Sequence, residues 1–168
     1  RSFAAGSYRH SRLEPLLPLL SRPSGLGDAM AIAFVVDKSG SMGASSAGVD
    51  RFRVAQRAVI ETATMLTDRD SATLIAFDAE PRTLLPLQGA KAFREAVVKP
   101  WPAQPKGGTR LAPALEAALA QLDSTSAQRR IMVLVTDGFI DQQPDAALAA
   151  RLTEARIELI AFGVGPDS

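Results

Sequence analysis

Cysteine is absent from this 168-residue chain, which excludes disulfides, thiolate catalysis and thiolate metal sites and is compatible with either redox compartment. Histidine occurs once, as His10 in the irregular amino-terminal stretch, so no histidine base lies within the regular part of the sequence. No apolar run reaches the length needed to span a bilayer. Charge of either sign is not in excess: nineteen Lys and Arg face eighteen Asp and Glu, for a net charge of +1. That balance, with the basic residues scattered, leaves no footprint for nucleic acid and no charged tail. What remains is 46% apolar and 22% charged, the make-up of one ordinary globular domain with a sizeable core.

Residues 1–30 carry no sustained period. The apolar stretch LEPLLPLL (Leu13–Leu20) is broken by Pro15 and Pro18, which remove donors and fix the backbone, and SRPSGLG follows it. The expectation is a strap or linker over residues 1–28 leading into a domain over 29–168. From Ala31 the pattern becomes regular. Ala31–Val36, Ala72–Phe77, Ile131–Val135 and Ile157–Phe162 are short apolar runs that suit strands covered on both faces. Phe52–Leu66 and Leu111–Leu122 have helical spacing, the latter with Pro113 tolerated in its first turn, and shorter helices are expected over Ala90–Val98 and Ala146–Ala155. Arg82–Leu87 follows the second strand after only Asp78–Pro81, too short a gap for a crossover helix, and is therefore expected as an antiparallel edge strand.

The order predicts an α/β fold: a doubly wound, mostly parallel sheet with one antiparallel edge strand and helices on both faces. The last strand, without a following helix and strand, is expected to be an exposed parallel edge.

Three pieces of sequence carry the chemistry. The first strand ends in Asp37-Lys-Ser39-Gly-Ser41-Met42; Gly107-Gly108-Thr109 precedes the long alanine/leucine helix; Thr136-Asp137-Gly138 ends the strand RRIMVLVTD. Carboxyl ends of strands at a topological switch are where open α/β sheets place ligands. Alone, DKSGS also reads as a turn with Asp37 and Ser41 bonded to backbone and Ser41 or Asp50 capping the next helix, and TDG as a strand-end turn. Together, Asp37, Ser39, Ser41, Thr109 and Asp137 offer two carboxylates and three hydroxyls with no nitrogen or sulfur. Such a set suits Mg2+ or Mn2+, suits Ca2+ less because the calcium-hand spacing is missing, and does not suit structural zinc.

The DxSxS element, the separate threonine and the TDG aspartate resemble the metal-ion-dependent adhesion site of von Willebrand factor type A domains, over about Ala29 to Pro166 and including the AFGVG closure. The resemblance implies a Rossmann-like fold, usually with a further helix and strand after the point where this sequence stops. It implies direct ligation by Ser39, Ser41 and Thr109, with Asp37 and Asp137 acting directly or through water. It implies a non-enzymatic binding module whose ion takes an Asp or Glu carboxylate from a protein partner, another domain of the same parent chain included. LEPLLPL ahead of such a domain is also similar to bacterial envelope proteins with a membrane-anchored, glutamine-amidotransferase-like chain, so the implied location is the bacterial cell envelope.

Two other functions stay open at this point: a metal-assisted, phosphoesterase-like hydrolase, and a structural domain with an idle site. Against the first, there is no GxSxG elbow, no nucleotide fingerprint and no general base placed near the serines. Trp101 is expected to pack on the domain, Met42 to plug the core or form a collar around the ligand, and Arg110 to be solvated. Arg129-Arg130 is expected as the polar start of a buried strand.

Overall fold

The computed structural model describes residues 28–43, 45, 46, 49–138 and 146–164. The proposed strap over residues 1–28 falls almost wholly outside them. Strand β1 (Met30–Asp37) is followed by a 3-10 turn at Gly40–Gly43 and a two-residue pair, β2 (Ser45–Ser46) with β3 (Val49–Asp50). Helix α1 (Arg51–Ala63) leads to β4 (Ser71–Phe77) and β5 (Pro81–Gly89), then α2 (Ala90–Val97) and α3 (Leu111–Asp123). Strand β6 (Arg129–Thr136), helix α4 (Ala146–Glu154) and β7 (Ile157–Gly163) complete the order.

The main sheet runs β5-β4-β1-β6-β7. All its pairings are parallel except β4 with β5, which is antiparallel with register shifts near Leu74. The expected doubly wound sheet with one antiparallel edge strand is therefore observed, and β7 forms the other edge among the described residues.

Strand β1 lies at the centre, and Ala31–Asp37 are all buried, as a near-continuous apolar run demands when both faces are covered. Its alternation divides the core. Ile32, Phe34 and Val36 point to the layer of α1 and α2, where Phe34 stacks on Phe93 with ring centroids 5.7 Å apart. Ala31, Ala33 and Val35 point to the layer of α3 and α4, where Ala114, Leu115, Ala118, Leu119 and Leu122 recur at helical spacing. Small residues on both sides let α3 lie close to the sheet.

Boundaries differ from expectation for local reasons. Asp50 caps α1, accepting a bond from Arg53 N at 3.2 Å, so the helix starts at Arg51. It ends at Ala63, and Leu66 keeps its core position from a turn closed by Met65 N to Thr62 O and Leu66 N to Ala63 O. Thr109 stands ahead of α3, whose N-cap is Arg110.

At the opposite end of the sheet from the strand carboxyl termini, buried Asp70 fastens the entry to β1. Its carboxylate accepts from Met30 N (3.0 Å), Thr67 N (2.7 Å) and the Thr67 hydroxyl (2.8 Å). Trp101 packs edge-on against Phe52 and donates to Val97 O at 3.0 Å, and Met42 is fully buried in the core. Arg129 and Arg130 begin β6 half-buried, facing Glu158 and Asp123.

Candidate metal site

Strand β1 continues to one side through α1 to β4, while β6 lies on its other side, so the carboxyl ends of β1 and β6 flank the switch point of the sheet. Asp37 is the last residue of β1 and is completely buried. Its Oδ1 accepts from Ser39 N at 2.7 Å, an Asx turn that swings the chain out of the strand. Its Oδ2 accepts from the Thr136 hydroxyl at 2.8 Å, across the β1–β6 boundary. The 3-10 turn brings the Ser39 and Ser41 hydroxyls to 3.0 Å of each other, and buried Met42 anchors that turn from below.

Burial pushes the Asp37 carboxyl above its ordinary value. The bonds from Ser39 N, the Thr136 hydroxyl and the Ser39 hydroxyl oppose the shift, and the negative charge of Asp137 adds to it. The Asp37 side chain is thus a buried carboxyl that feels the negative charge of a second one, Asp137.

Asp137 follows β6 directly, and its side chain has no exposed surface. Arg51 Nη1 stands 3.1 Å from Asp137 Oδ2 and 3.4 Å from the Ser41 carbonyl oxygen, linking the first loop to the third. Thr136 Oγ1 also accepts from Gly138 N at 3.2 Å, and Gly138 has φ +90°, a backbone conformation that only glycine adopts without strain.

The middle piece is stitched to the first by backbone bonds. Gly40 N donates to Gly107 O at 3.1 Å, and Lys106 N to Lys38 O at 2.9 Å. Arg110 N reaches Asp78 O at 2.8 Å, so the segment carrying buried Thr109 is clamped between the β1 and β4 ends. Gly107 has φ +83°, which explains the glycine there. Beside it Lys38 forms an ion pair with Asp78, both little exposed. Burial alone would raise the Asp78 carboxyl, but the Lys38 ammonium and the Glu80 and Ala79 backbone bonds hold it below the ordinary range.

Asp37, Ser39, Ser41 and Asp137 are thus joined through Thr136 and Arg51, and the Thr109 loop is bonded to the same turn. Among the described residues no three His, Cys, Asp or Glu side chains gather to hold a metal. An ion at these strand ends would therefore rely on hydroxyl and water oxygens beside two carboxylates, a set of hard donors that fits Mg2+ or Mn2+. Sequence reasoning missed Thr136, Arg51, Lys38 and Asp78. The threonine preceding Asp137-Gly138 was visible, but its partner is 99 residues away.

Residues 32–139 match the model of the von Willebrand factor type A domain. The chain belongs to that family. No curated protein sequence matches it. Among solved structures the type A domain is similar to an aerotolerance-related membrane protein from Bacteroides fragilis, at 23% identity and a TM-score of 0.67, over 81% of this chain and 68% of that one. It is similar to the conserved hypothetical protein BatB from Bacteroides thetaiotaomicron, at 21% identity and a TM-score of 0.68, over 80% and 66%. The PilB minor pilin from Streptococcus sanguinis is matched at 21% identity and a TM-score of 0.59, over 68% of this chain and 31% of the pilin. At such identities the likeness is one of fold. Among the described residues no helix is long and apolar enough to cross a membrane.

Proposed function

We propose that this type A domain is a divalent-cation-dependent protein-binding module whose adhesion site consists of Asp37, Ser39, Ser41, Thr109 and Asp137. The observation that carries the reading is the pairing of two shielded carboxylates, Asp37 and Asp137, at the ends of adjacent strands, with the two serine hydroxyls 3.0 Å apart in the loop between β1 and α1. Mg2+ or Mn2+, when bound, supplies a coordination position that a partner's Asp or Glu carboxylate completes.

The residues of the chain divide the work. Ser39, Ser41 and Thr109 present neutral oxygens, so the ion keeps positive charge for a partner. Asp37, held by Ser39 N and Thr136, fixes the turn and supplies the buried charge. Asp137 supplies the second charge. Nothing in this arrangement activates a nucleophile, and the proposal involves no catalysis.

The domain is taken as residues 29–168, with 1–28 leading into it. A bacterial envelope location is supported by the membrane protein and the pilin among the similar structures, and an amidotransferase-like parent only by the upstream LEPLLPL resemblance. The partner presents an acidic side chain, and another domain of the parent chain is one source of it. Capture of partners by the immobilised domain, with Mg2+ and then with EDTA, tests the reading. Proteins retained with Mg2+, released by EDTA and not retained by D137N support it; retention indifferent to both removes it.

A further inference from the structure

Helix α1 carries three arginines near its start, and they behave differently. Arg53 and Arg57 are more than four-fifths exposed, whereas the Arg51 side chain is 15% exposed and turned back toward the strand ends. Arg51 is the first residue of the helix, where the backbone dipole disfavours a cation. Its guanidinium is held there by the shielded Asp137 carboxylate at 3.1 Å and the Ser41 carbonyl at 3.4 Å. Lys38, another cation close to these loops, is committed to Asp78. Arg51 thus brings positive charge to the same corner of the site that the adhesion-site reading assigns to a divalent ion.

We propose that Arg51 is the built-in counter-cation of Asp137 in the ion-free domain and that a divalent ion competes with its guanidinium for that carboxylate. The inference rests on the reading of Asp137 as an ion-site residue. Loading the site then means releasing Arg51 from Asp137 Oδ2, so Arg51 sets the ion concentration at which the module becomes competent. It also keeps Asp137 compensated when no ion is bound, so the domain stays folded in both states. A freed guanidinium beside the ion is a second attraction for an acidic partner.

The test is calorimetric titration of Mn2+ into the 168-residue chain and its R51Q variant, with melting of both in EDTA. Losing one charge-assisted bond to Asp137 corresponds to about tenfold, so R51Q is expected to bind Mn2+ about tenfold more tightly. In EDTA it is expected to melt below the parent chain, and adding R51Q to D137N is expected to cost less than R51Q alone, because the bond to the Asp137 carboxylate is already lost while that to the Ser41 carbonyl remains to be lost. R51K, which keeps the charge, guards against a folding defect and is expected to bind near the parent affinity. Binding by the parent chain with equal or weaker binding by R51Q overturns this inference alone, making Arg51 a support of the loaded site. Absence of Mn2+ binding by parent chain and variants removes the ion-site reading and this inference together.

Discussion

Replacing Thr136 with Val probes the bond that joins the two central strands at the site. Valine keeps the shape of threonine and removes only the hydroxyl, which donates to the buried Asp37 Oδ2 at 2.8 Å and accepts from Gly138 N at 3.2 Å. Gly138 is exposed, so water replaces its partner, whereas Asp37 is fully buried and loses a donor outright. A hydrogen bond to a buried charged group contributes about 1.5–3 kcal/mol, and a loss of about 2 kcal/mol is expected here. For a domain of this size that lowers the melting temperature by about 4–8 °C.

The loss should depend on pH. Burial raises the Asp37 carboxyl above its ordinary 3.8, so the folded, ion-free domain binds more protons there than the unfolded chain. Its contribution to stability is therefore greatest below 3.8 and falls as pH rises through the folded value. T136V pushes that carboxyl higher still, so its penalty grows as pH rises through the folded value and shrinks toward about 1 kcal/mol once Asp37 is protonated and the lost bond is a neutral one. Urea denaturation of both proteins in EDTA, at neutral and at acid pH, measures the difference. A penalty below about 0.5 kcal/mol at neutral pH, or one equal at both, refutes the reasoning.

Asp70→Ala removes the acceptor of three bonds at the entry to β1 and should destabilise by about 3 kcal/mol in urea, with Mn2+ affinity unchanged because Asp70 lies at the far end of the strands. Phe93→Ala takes a fully buried ring from its stack on Phe34 and should cost about 3–5 kcal/mol by the same assay.

The strands were legible because burial on both faces writes itself as apolar runs: Ala31–Val36 was read one residue short at each end of β1, and Ala72–Phe77 one residue short of β4. The antiparallel edge was legible from a gap too short for a crossover. Periodicity misled at Leu66, because a side chain can hold its core position from a turn as well as from a helix. The 3-10 turn and the β2–β3 pair escaped because they follow from backbone bonds in a loop with no period. Of the site, the hydroxyls and carboxylates were visible as types at strand ends. The contacts of Thr136 and Arg51 were not, since their partners lie 99 and 86 residues away and no local pattern announces them. Arg51 was masked further by its setting, one of three arginines within seven residues of a helix start.

In the proposed site, Asp37 and Asp137 hold a divalent ion with help from neutral oxygens. Calorimetric titration of Mn2+ into the chain, with D37N and D137N beside it and their folding checked by circular dichroism, tests it most directly. One ion is expected to bind the parent chain and to be displaced by Mg2+, and none to bind either folded variant. Undiminished binding by a folded D37N or D137N, or no binding by the parent chain, contradicts it.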